Sequence, residues 1–255
     1  MSRAGLATLL DYLAAAVALA MVWQLAAAAV HSPLLPSPGQ SLAALAAAWR
    51  SGTLAADTAV STFRVVAGMV LAVVVGLPLG LLMGRSARLD RVLSPVVYLV
   101  YPIPKVAFLP VIMVLLGLGD LPKIVLIALI VVFQVVVAAR DAARQVPPAQ
   151  LLSLASLGAT RWQQLRHVVI PSALPKLFTT LRVALGTAIA VLFLSEMFAT
   201  NRGLGYFLLY SWTRLDYPAV YAGVLALGGL GLLLYWLVDL LDVAACGWTR
   251  RGRAD

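Results

Sequence analysis

The chain has few of the residues that cross-linking, metal binding and catalysis require. It contains one cysteine, Cys246, and two histidines, His31 and His167. A single cysteine excludes an internal disulfide and a multi-cysteine metal site, and neither histidine has the carboxylates or thiols of a metal site near it in the sequence. The chain also lacks a phosphate loop of the form GxxxxGK followed by Ser or Thr. We therefore expect no metal site, no catalytic residues and no nucleotide hydrolysis by this chain.

Charged residues are scarce as well, at 11% of the chain, whereas apolar residues make up 62%. Soluble domains contain roughly a quarter charged residues, and the apolar runs recur at spans near the ~20 residues that a membrane helix needs. The sequence predicts an all-α polytopic integral membrane protein, with residues 1–255 forming a single transmembrane domain. The six predicted spans lie at about residues 10–30, 60–84, 94–116, 121–140, 177–198 and 219–241.

The first apolar run has two interpretations, because a cleavable signal peptide also begins with a basic residue and an apolar stretch. This run is too long for the apolar part of a signal, and Asp11 would be an awkward member of one. We interpret it as the first membrane helix. After it comes a loop rich in Pro, Ser and Gly, whose Ala-rich middle predicts a short helix along the surface.

The net charge of +9 is distributed between the apolar runs rather than in a patch that would bind nucleic acid. If the N-terminus is cytoplasmic, six spans return the C-terminus to the same side. Most basic residues then fall in cytoplasmic segments, and only Arg50, Lys123, Arg202 and Arg214 fall outside. This asymmetry follows the positive-inside rule, so we expect both termini to be cytoplasmic.

Glycines recur every four residues in the second span, at Gly76, Gly80 and Gly84. Small residues at this spacing lie on one helical face and allow another helix to approach closely. The contact could be with another subunit or a gate, or it could be packing inside the same subunit.

The third span opens with "YLVYPIPKVAFLP". Pro102 and Pro104 would free backbone groups that need partners in protein or in a wet cavity, and a buried amine such as Lys105 tends to face a cavity or a partner. These three residues are candidates for lining a translocation pathway. A kinked packing helix is the alternative.

Glu196 is the only glutamate in the chain and lies near the end of the fifth span. An ionisable residue at membrane depth is a candidate functional residue. The "NRGLGY" segment that follows, with Asn201 and Gly203, predicts an interruption of the helix. Arg64 lies in the outer part of the second span, so Arg64 and Glu196 either line the pathway or form a structural ion pair.

Residues 146–171 are too polar in their second half to cross a bilayer, and they predict two short helices that bend at Gly158. The first would present Leu151, Leu154 and Ala155 on one face, and the second would end at Pro171. A compact projection of this kind can dock into a groove of a cytoplasmic partner.

At this loop the sequence resembles the permease subunits of bacterial type I, binding-protein-dependent ATP-binding-cassette importers. "LGATRWQQLRHVVIPSALPKLFTTLRVALG" resembles the second part of that family's cytoplasmic EAA loop, and the resemblance extends to "STFRVVAGMVLAVVVGLPLGLLMGRS", "YPIPKVAFLPVIMVLLGLGD" and "SEMFATNRGLGYFL". It covers nearly the whole chain, with a permease core over residues 57–242. The sulfonate, nitrate and taurine branch, which also includes permeases for thiamine-precursor pyrimidines, is the most similar.

In that family the first helix of the loop is a coupling helix that sits in a cleft of the ATPase subunit. Matched from Gly158, the family's glutamate, alanine and arginine fall on Leu152, Leu154 and Ala155, so all three are replaced here. We therefore expect a more apolar contact, through Leu151, Leu152 and Leu154. The complete set of expected coupling-loop residues is Leu151, Leu152, Leu154, Gly158, Ala159, Trp162, Leu165 and Pro171.

The resemblance implies a homodimeric permease in the bacterial inner membrane, with two ATPase subunits that bind ATP and Mg, and an external solute-binding protein. It implies no cofactor bound by this chain. A small anion such as a sulfonate and an uncharged or aromatic precursor both remain possible substrates. An integral-membrane enzyme would need a nucleophile with a base, paired acids or a metal cluster; a passive channel would not require the cytoplasmic projection.

Overall fold

The computed structural model describes residues 3–247, and this part of the chain is helical with no strands. The helices are α1 (Arg3–Val30), α2 (Pro38–Arg50), α3 (Thr53–Arg85), α4 (Ala87–Val100), α5 (Leu109–Leu116), α6 (Leu121–Gln145), α7 (Pro148–Ser156), α8 (Arg161–Gln164), α9 (Ile170–Glu196), α10 (Leu204–Thr213) and α11 (Tyr217–Ala245). A 3₁₀ turn precedes α5 at Lys105–Phe108, and a π-helical segment joins α8 to α9 at Leu165–Val169.

Helices α3 and α6 form the centre of the bundle and run in the same direction. Gly68 in the middle of α3 lies against Ile127 in the first half of α6, whereas Gly84 near the end of α3 lies against Ala143 near the end of α6. Two parallel neighbours require the chain between them to return across the bundle. Residues 87–116 make that return, so the described chain has six crossings when α1 is counted.

A continuous third span at 94–116 is wrong. The crossing begins at Ala87 and consists of α4 and the segment Lys105–Leu116, which meet at an angle of 82°. Pro102 and Pro104 lie in the break. Because proline has no N–H to donate and disfavours helical geometry in the residue before it, two prolines this close stop the helix instead of only bending it.

The predicted helix end at Pro171 is also wrong. Helix α8, the π-helical segment and α9 form one continuous helix from Arg161 to Glu196. The π-helical turn at Leu165–Val169 ends two residues before Pro171. A widened turn relieves the contact that a proline ring would otherwise make with the preceding turn, so the helix continues through the proline.

The largest apolar core lies between α3, α6, α9 and α11, with Val65, Leu126, Val131 and Leu192 fully buried. A second, smaller apolar core lies where α6, α7 and the start of α9 meet. Apart from Trp23 and Ala27, the described side chains of α1 are exposed.

Candidate functional site

Two ends of the bundle carry the candidate residues. We call the end that holds residues 146–160 the coupling-loop end. The opposite end, where Arg64 meets Glu196, is called the ionic end. Helix α3 begins at the ionic end and finishes at the coupling-loop end, while the long helix from Arg161 to Glu196 runs the other way.

Helix α7 is the first of the two predicted short helices, and its ends form as the sequence predicts. Pro148 occupies its first turn, where a missing N–H costs nothing. Gly158 follows its last turn with φ of +81°, a conformation that favours glycine. The Ala159 N–H donates to the Leu154 carbonyl at 3.0 Å, which closes the helix end.

The apolar residues of α7 divide between two faces, and this corrects the expected contact. Leu151 is buried against Leu81 and Val146 of its own bundle, so it cannot reach a partner. Leu152 is 66% exposed and Leu157, which the sequence analysis did not single out, is 83% exposed. The exposed apolar surface of the loop is therefore formed by Leu152 and Leu157, with Leu154 half-buried between the two faces.

Trp162 adds a third large exposed side chain at the start of the long helix, where it is 64% exposed. Thr160 and Gln163 form a capping box that fixes this helix start: the Gln163 N–H donates to the Thr160 hydroxyl, and the Gln163 side chain accepts from the Thr160 N–H. Leu165 faces inward and packs on the second apolar core. We call Leu152, Leu157 and Trp162 the coupling surface.

At the ionic end, Arg64 and Glu196 form an ion pair of 2.7 Å, with 2% and 0% of the residues exposed. Asp120, which the sequence analysis missed, pairs with the same guanidinium at 2.6 Å. The Arg64 guanidinium also donates a hydrogen bond to the Arg202 carbonyl at 3.0 Å. Arg64 thus joins α3, the start of α6 and the turn after α9.

Glu196 accepts hydrogen bonds from two further donors. The Ser61 hydroxyl lies 2.9 Å from the carboxylate, and the Gly205 N–H donates to it at 2.9 Å. A side chain at Gly203 would place its Cβ 2.4 Å from the Glu196 carboxyl carbon, and Gly203 has φ of +115°. Gly203, the first glycine of the "NRGLGY" segment, is therefore required both by the lack of space for a Cβ and by its backbone conformation.

A cavity of about 550 Å³ opens beside this ion pair. Its lining includes the buried Arg64 and the exposed residues Asp120, Asn201 and Arg202. The structure therefore brings four of the predicted site residues, Arg64, Glu196, Asn201 and Gly203, to one place. The Arg64 guanidinium nitrogens all donate to acceptors within the protein. Of the two interpretations of Arg64 and Glu196, pathway lining and a structural ion pair, the structure shows the ion pair.

Lys105 lies apart from this cluster, as the first residue of the 3₁₀ turn after α4. Its ammonium group donates to the carbonyls of Val100 and Tyr101, at 3.0 and 2.9 Å, and lies 4.5 Å from the centre of the Phe133 ring. Lys105 thus satisfies carbonyls at the end of α4 that the break leaves without helical partners. Pro102 and Pro104 are exposed at the same break.

The glycines of the second span pack within the subunit. A Cβ at Gly76 would lie 3.0 Å from Val135, one at Gly80 2.4 Å from the Val136 carbonyl, and one at Gly84 2.6 Å from Ala143. All three neighbours belong to α6. Of the two interpretations of this stripe, the structure shows contact between helices of the same chain.

Two further ion-pair groups at the coupling-loop end were not predicted. Asp90 of α4 is bound by Arg140 and Arg144 of α6. In the second group Arg182 pairs with Asp239 at 2.9 Å and with a second aspartate one turn later on α11. The only signal in the sequence was an acidic residue within or beside an apolar run, which predicts a partner without identifying it.

The comparisons with known proteins agree with this architecture. Residues 76–244 match the family described as binding-protein-dependent transport system inner membrane component. The taurine transport system permease protein TauC of Escherichia coli (strain K12) is 33% identical over 225 residues, which cover 86% of this chain and 82% of TauC. The chain belongs to this permease family. It is a permease subunit of an ATP-binding-cassette importer for a small solute, as the sequence resemblance predicted.

Two further comparisons agree with this result, one with a named permease and one with the fold of a solved structure. The formylaminopyrimidine transport permease protein ThiX of Halalkalibacterium halodurans is 28% identical over 235 residues, which cover 91% of this chain and 93% of ThiX. A chain from the inward-facing MetNI methionine ABC transporter, in its CY5 native crystal form, aligns with a TM-score of 0.65 at 21% identity, over 77% of this chain and 97% of that chain. The all-α multi-pass membrane fold is thereby confirmed.

Proposed function

We propose that this permease works as a homodimer in the cytoplasmic membrane, with two ATPase subunits on the inner side and a solute-binding protein outside. The distribution of basic residues supports the orientation, since Arg85, Arg144 and Arg161 lie at the coupling-loop end. On this proposal ATP and Mg bind to the ATPase subunits only. The coupling-loop end faces the cytoplasm and the ionic end faces outward.

The observation that carries the proposal is the coupling surface. Leu152, Leu157 and Trp162 are large apolar side chains, each more than half exposed; the two leucines lie on the loop outside the spans and Trp162 on the first turn of the long helix. Apolar side chains grouped on a loop outside the bilayer core are typical of a protein–protein contact. The buried Leu151 packs α7 against the bundle. A partner that binds the exposed side of α7 therefore displaces the bundle together with α7.

The long helix provides the path for that movement. Trp162 lies at its first turn and Glu196 at its last, and its 36 residues correspond to a length of about 54 Å. We propose that closure of the ATPase subunits displaces the coupling surface, and that this helix carries the displacement to the ionic end. There the Arg64–Glu196 pair moves with the helix, and the cavity beside it opens or closes.

For the substrate we propose a small organic anion of the sulfonate type. TauC, the 33% identical relative, is named for taurine transport. Arg64 and Lys105 are engaged by protein acceptors, so we assign them to the scaffold rather than to the anion; the exposed Arg202 of the cavity lining is the basic side chain we assign to the solute's approach. The formylaminopyrimidine class named for ThiX is the alternative to test against it.

The proposed assembly is tested by co-purification of the permease with its ATPase subunit. The variants are Leu152→Asp and Leu157→Asp, and Ser153→Asp is the matched control because Ser153 is exposed on the same helix but is not part of the coupling surface. We expect the two leucine variants to lose at least about 90% of the bound ATPase, and the control to keep it. Equal retention by all variants would contradict the proposed contact.

Substrate class is tested separately in vesicles that contain the whole importer. ATP-dependent uptake of radiolabelled taurine is compared with uptake of a radiolabelled formylaminopyrimidine. We expect uptake of the sulfonate only. Uptake of the pyrimidine alone would overturn the proposed substrate and leave the proposed assembly intact.

A further inference from the structure

A second cavity, of about 470 Å³, lies at the coupling-loop end between the last turn of α3 and the start of the long helix. Its floor is apolar and includes Leu81 and Val169, both buried. Its rim is polar and carries two guanidinium groups, from Arg85 and Arg161. We call this cavity the Arg85–Arg161 pocket.

The two arginines of the pocket have no counter-charge in the described part of the chain. Neither guanidinium group forms a hydrogen bond or an ion pair with another residue among 3–247, whereas those of Arg64, Arg140, Arg144 and Arg182 all do. The pocket lining includes no carboxylate from the same residues. Two like charges that share one cavity without an acidic neighbour favour an anionic occupant.

The position of the pocket limits what that occupant can be. Arg85 directly follows the uncharged run 65–84 of α3, which is about the length that crosses the bilayer core, so we place the rim where the core ends and the headgroups begin. Leu82, which also lines the pocket, is 51% exposed and gives the apolar part an open side. A basic rim above an apolar floor, at headgroup depth, matches a molecule with a phosphate and a hydrocarbon part.

We propose that the Arg85–Arg161 pocket binds an anionic phospholipid, with its phosphate diester between the two guanidinium groups and its glycerol and upper acyl chain on the apolar floor. The inference rests on the proposed function in one respect, namely that this end faces the cytoplasm. Inorganic phosphate would offer the same anionic oxygen atoms without the hydrocarbon part. The apolar floor therefore favours the phospholipid over the free ion.

Lipid in this pocket would have a mechanical consequence. Arg85 belongs to α3, and Arg161 is the first residue of the long helix that carries the coupling surface. A phosphate held by both would connect α3 to the helix that carries Trp162 of the coupling surface. Coupling should therefore depend on the content of anionic lipid, beyond any effect of the general surface charge.

The test is native mass spectrometry of the purified full-length permease, without ATPase, after titration with dioleoylphosphatidylglycerol or with the zwitterionic dioleoylphosphatidylcholine. The variant is Arg85→Gln combined with Arg161→Gln. The matched control is Arg91→Gln combined with Arg166→Gln, which removes the same charge from exposed arginines of the same end that do not line the pocket. Thermal unfolding of each protein establishes that it is folded.

We expect wild type and control to bind one phosphatidylglycerol at least about tenfold more tightly than the pocket variant does, since each arginine near the surface contributes about 1 kcal/mol to attraction of anionic lipid. Millimolar inorganic phosphate should not displace the lipid. Displacement by phosphate, or equal binding by the pocket variant and the control, would overturn the proposal.

The remaining outcome concerns the ATPase, whose acidic side chains could occupy the same pocket. A pocket variant that binds phosphatidylglycerol as wild type does, but loses the ATPase in co-purification, would assign the pocket to the ATPase and overturn lipid binding. Because lipid binding is measured on the permease alone, failure of the lipid proposal leaves the coupling surface untouched. Failure of ATPase association likewise leaves the lipid result valid.

Discussion

The Arg64 guanidinium lies 2.7 Å from the Glu196 carboxylate across the buried ionic end of the bundle. The same guanidinium reaches Asp120 before α6 and the Arg202 carbonyl in the turn after α9. Three segments that are far apart in the sequence therefore depend on one side chain. A buried charge of this kind is costly to leave without its partner.

The first prediction concerns this pair. Arg64→Met should destabilise the permease by about 3–5 kcal/mol, because it leaves the Glu196 carboxylate buried with only neutral donors. Adding Glu196→Gln should recover part of that loss, and a double-mutant cycle from unfolding in detergent measures the coupling. Arg214→Met, at an exposed arginine, is the control and should change stability by less than about 0.5 kcal/mol. Additive effects of Arg64→Met and Glu196→Gln would contradict the account.

The second prediction concerns the contact between α3 and α6. Gly80→Ala places a methyl group 2.4 Å from the Val136 carbonyl, which cannot move without shifting α6. We expect a loss of about 1–3 kcal/mol from overpacking. Gly186→Ala is the matched control, since it lies inside α9 with no neighbour within 4 Å. If both variants unfold at the same temperature, the close approach of α3 to α6 is not what requires the glycine.

The third prediction concerns the turn after α7. Gly158→Ala meets no neighbouring atom, so its cost is the strain of φ at +81°, about 1–2 kcal/mol. Gly52→Ala carries a nearly equal strain, at φ of +79°, but lies at the ionic end. Both variants should lose similar thermal stability, and only Gly158→Ala should reduce the stimulation of ATP hydrolysis by loaded binding protein. Loss of stimulation in both would assign the effect to general destabilisation.

The fourth prediction concerns Cys246, which follows α11 and is 2% exposed. Burial, with the nearby Asp242 carboxylate, raises the pKa of its thiol to about 11. Since the thiolate is the reactive form, alkylation by iodoacetamide at pH 7.5 should be at least about a hundredfold slower than at a free thiol and should accelerate as the pH approaches 11. A Cys246→Ser protein with Ser153→Cys provides the exposed thiol for comparison. Equal rates for the two proteins would contradict the burial of Cys246.

The raised pKa of Cys246 also makes the stability of the folded protein depend on pH. The folded protein keeps the proton on the thiol to higher pH than the unfolded chain does, whose thiol has the ordinary value of 9.0. Its contribution to folding is therefore present below pH 9.0 and is lost as the pH rises toward about 11. Cys246→Ser should remove that part of the alkaline loss of stability.

The sequence predicted the features that depend on composition along one helix. Apolar run lengths gave six crossings, and the four-residue glycine spacing gave a close helix contact. Gly158 was predicted to end the first helix of the coupling loop because a helix end commonly needs a left-handed residue there. These features are local, so one segment of sequence is enough to predict them.

The predictions that were wrong or missing concern contacts that the sequence of one segment does not reveal. Leu151 and Leu152 are adjacent leucines, and only the packing of α7 against the ends of α3 and α6 decides that the first is buried and the second exposed. Pro171 was expected to end a helix, but a π-helical turn allows the helix to continue through it. Asp120 was overlooked as a partner of Arg64, since 56 residues separate them in the chain.

The central claim is that the coupling surface transmits the action of the ATPase, and one measurement tests it most directly. ATP hydrolysis by the importer in lipid vesicles is compared with and without loaded binding protein, for wild type, for Leu152→Asp with Leu157→Asp, and for Ser153→Asp. The account predicts that the double leucine variant loses stimulation by at least about tenfold while Ser153→Asp keeps it. Wild-type stimulation in the double leucine variant would contradict the account.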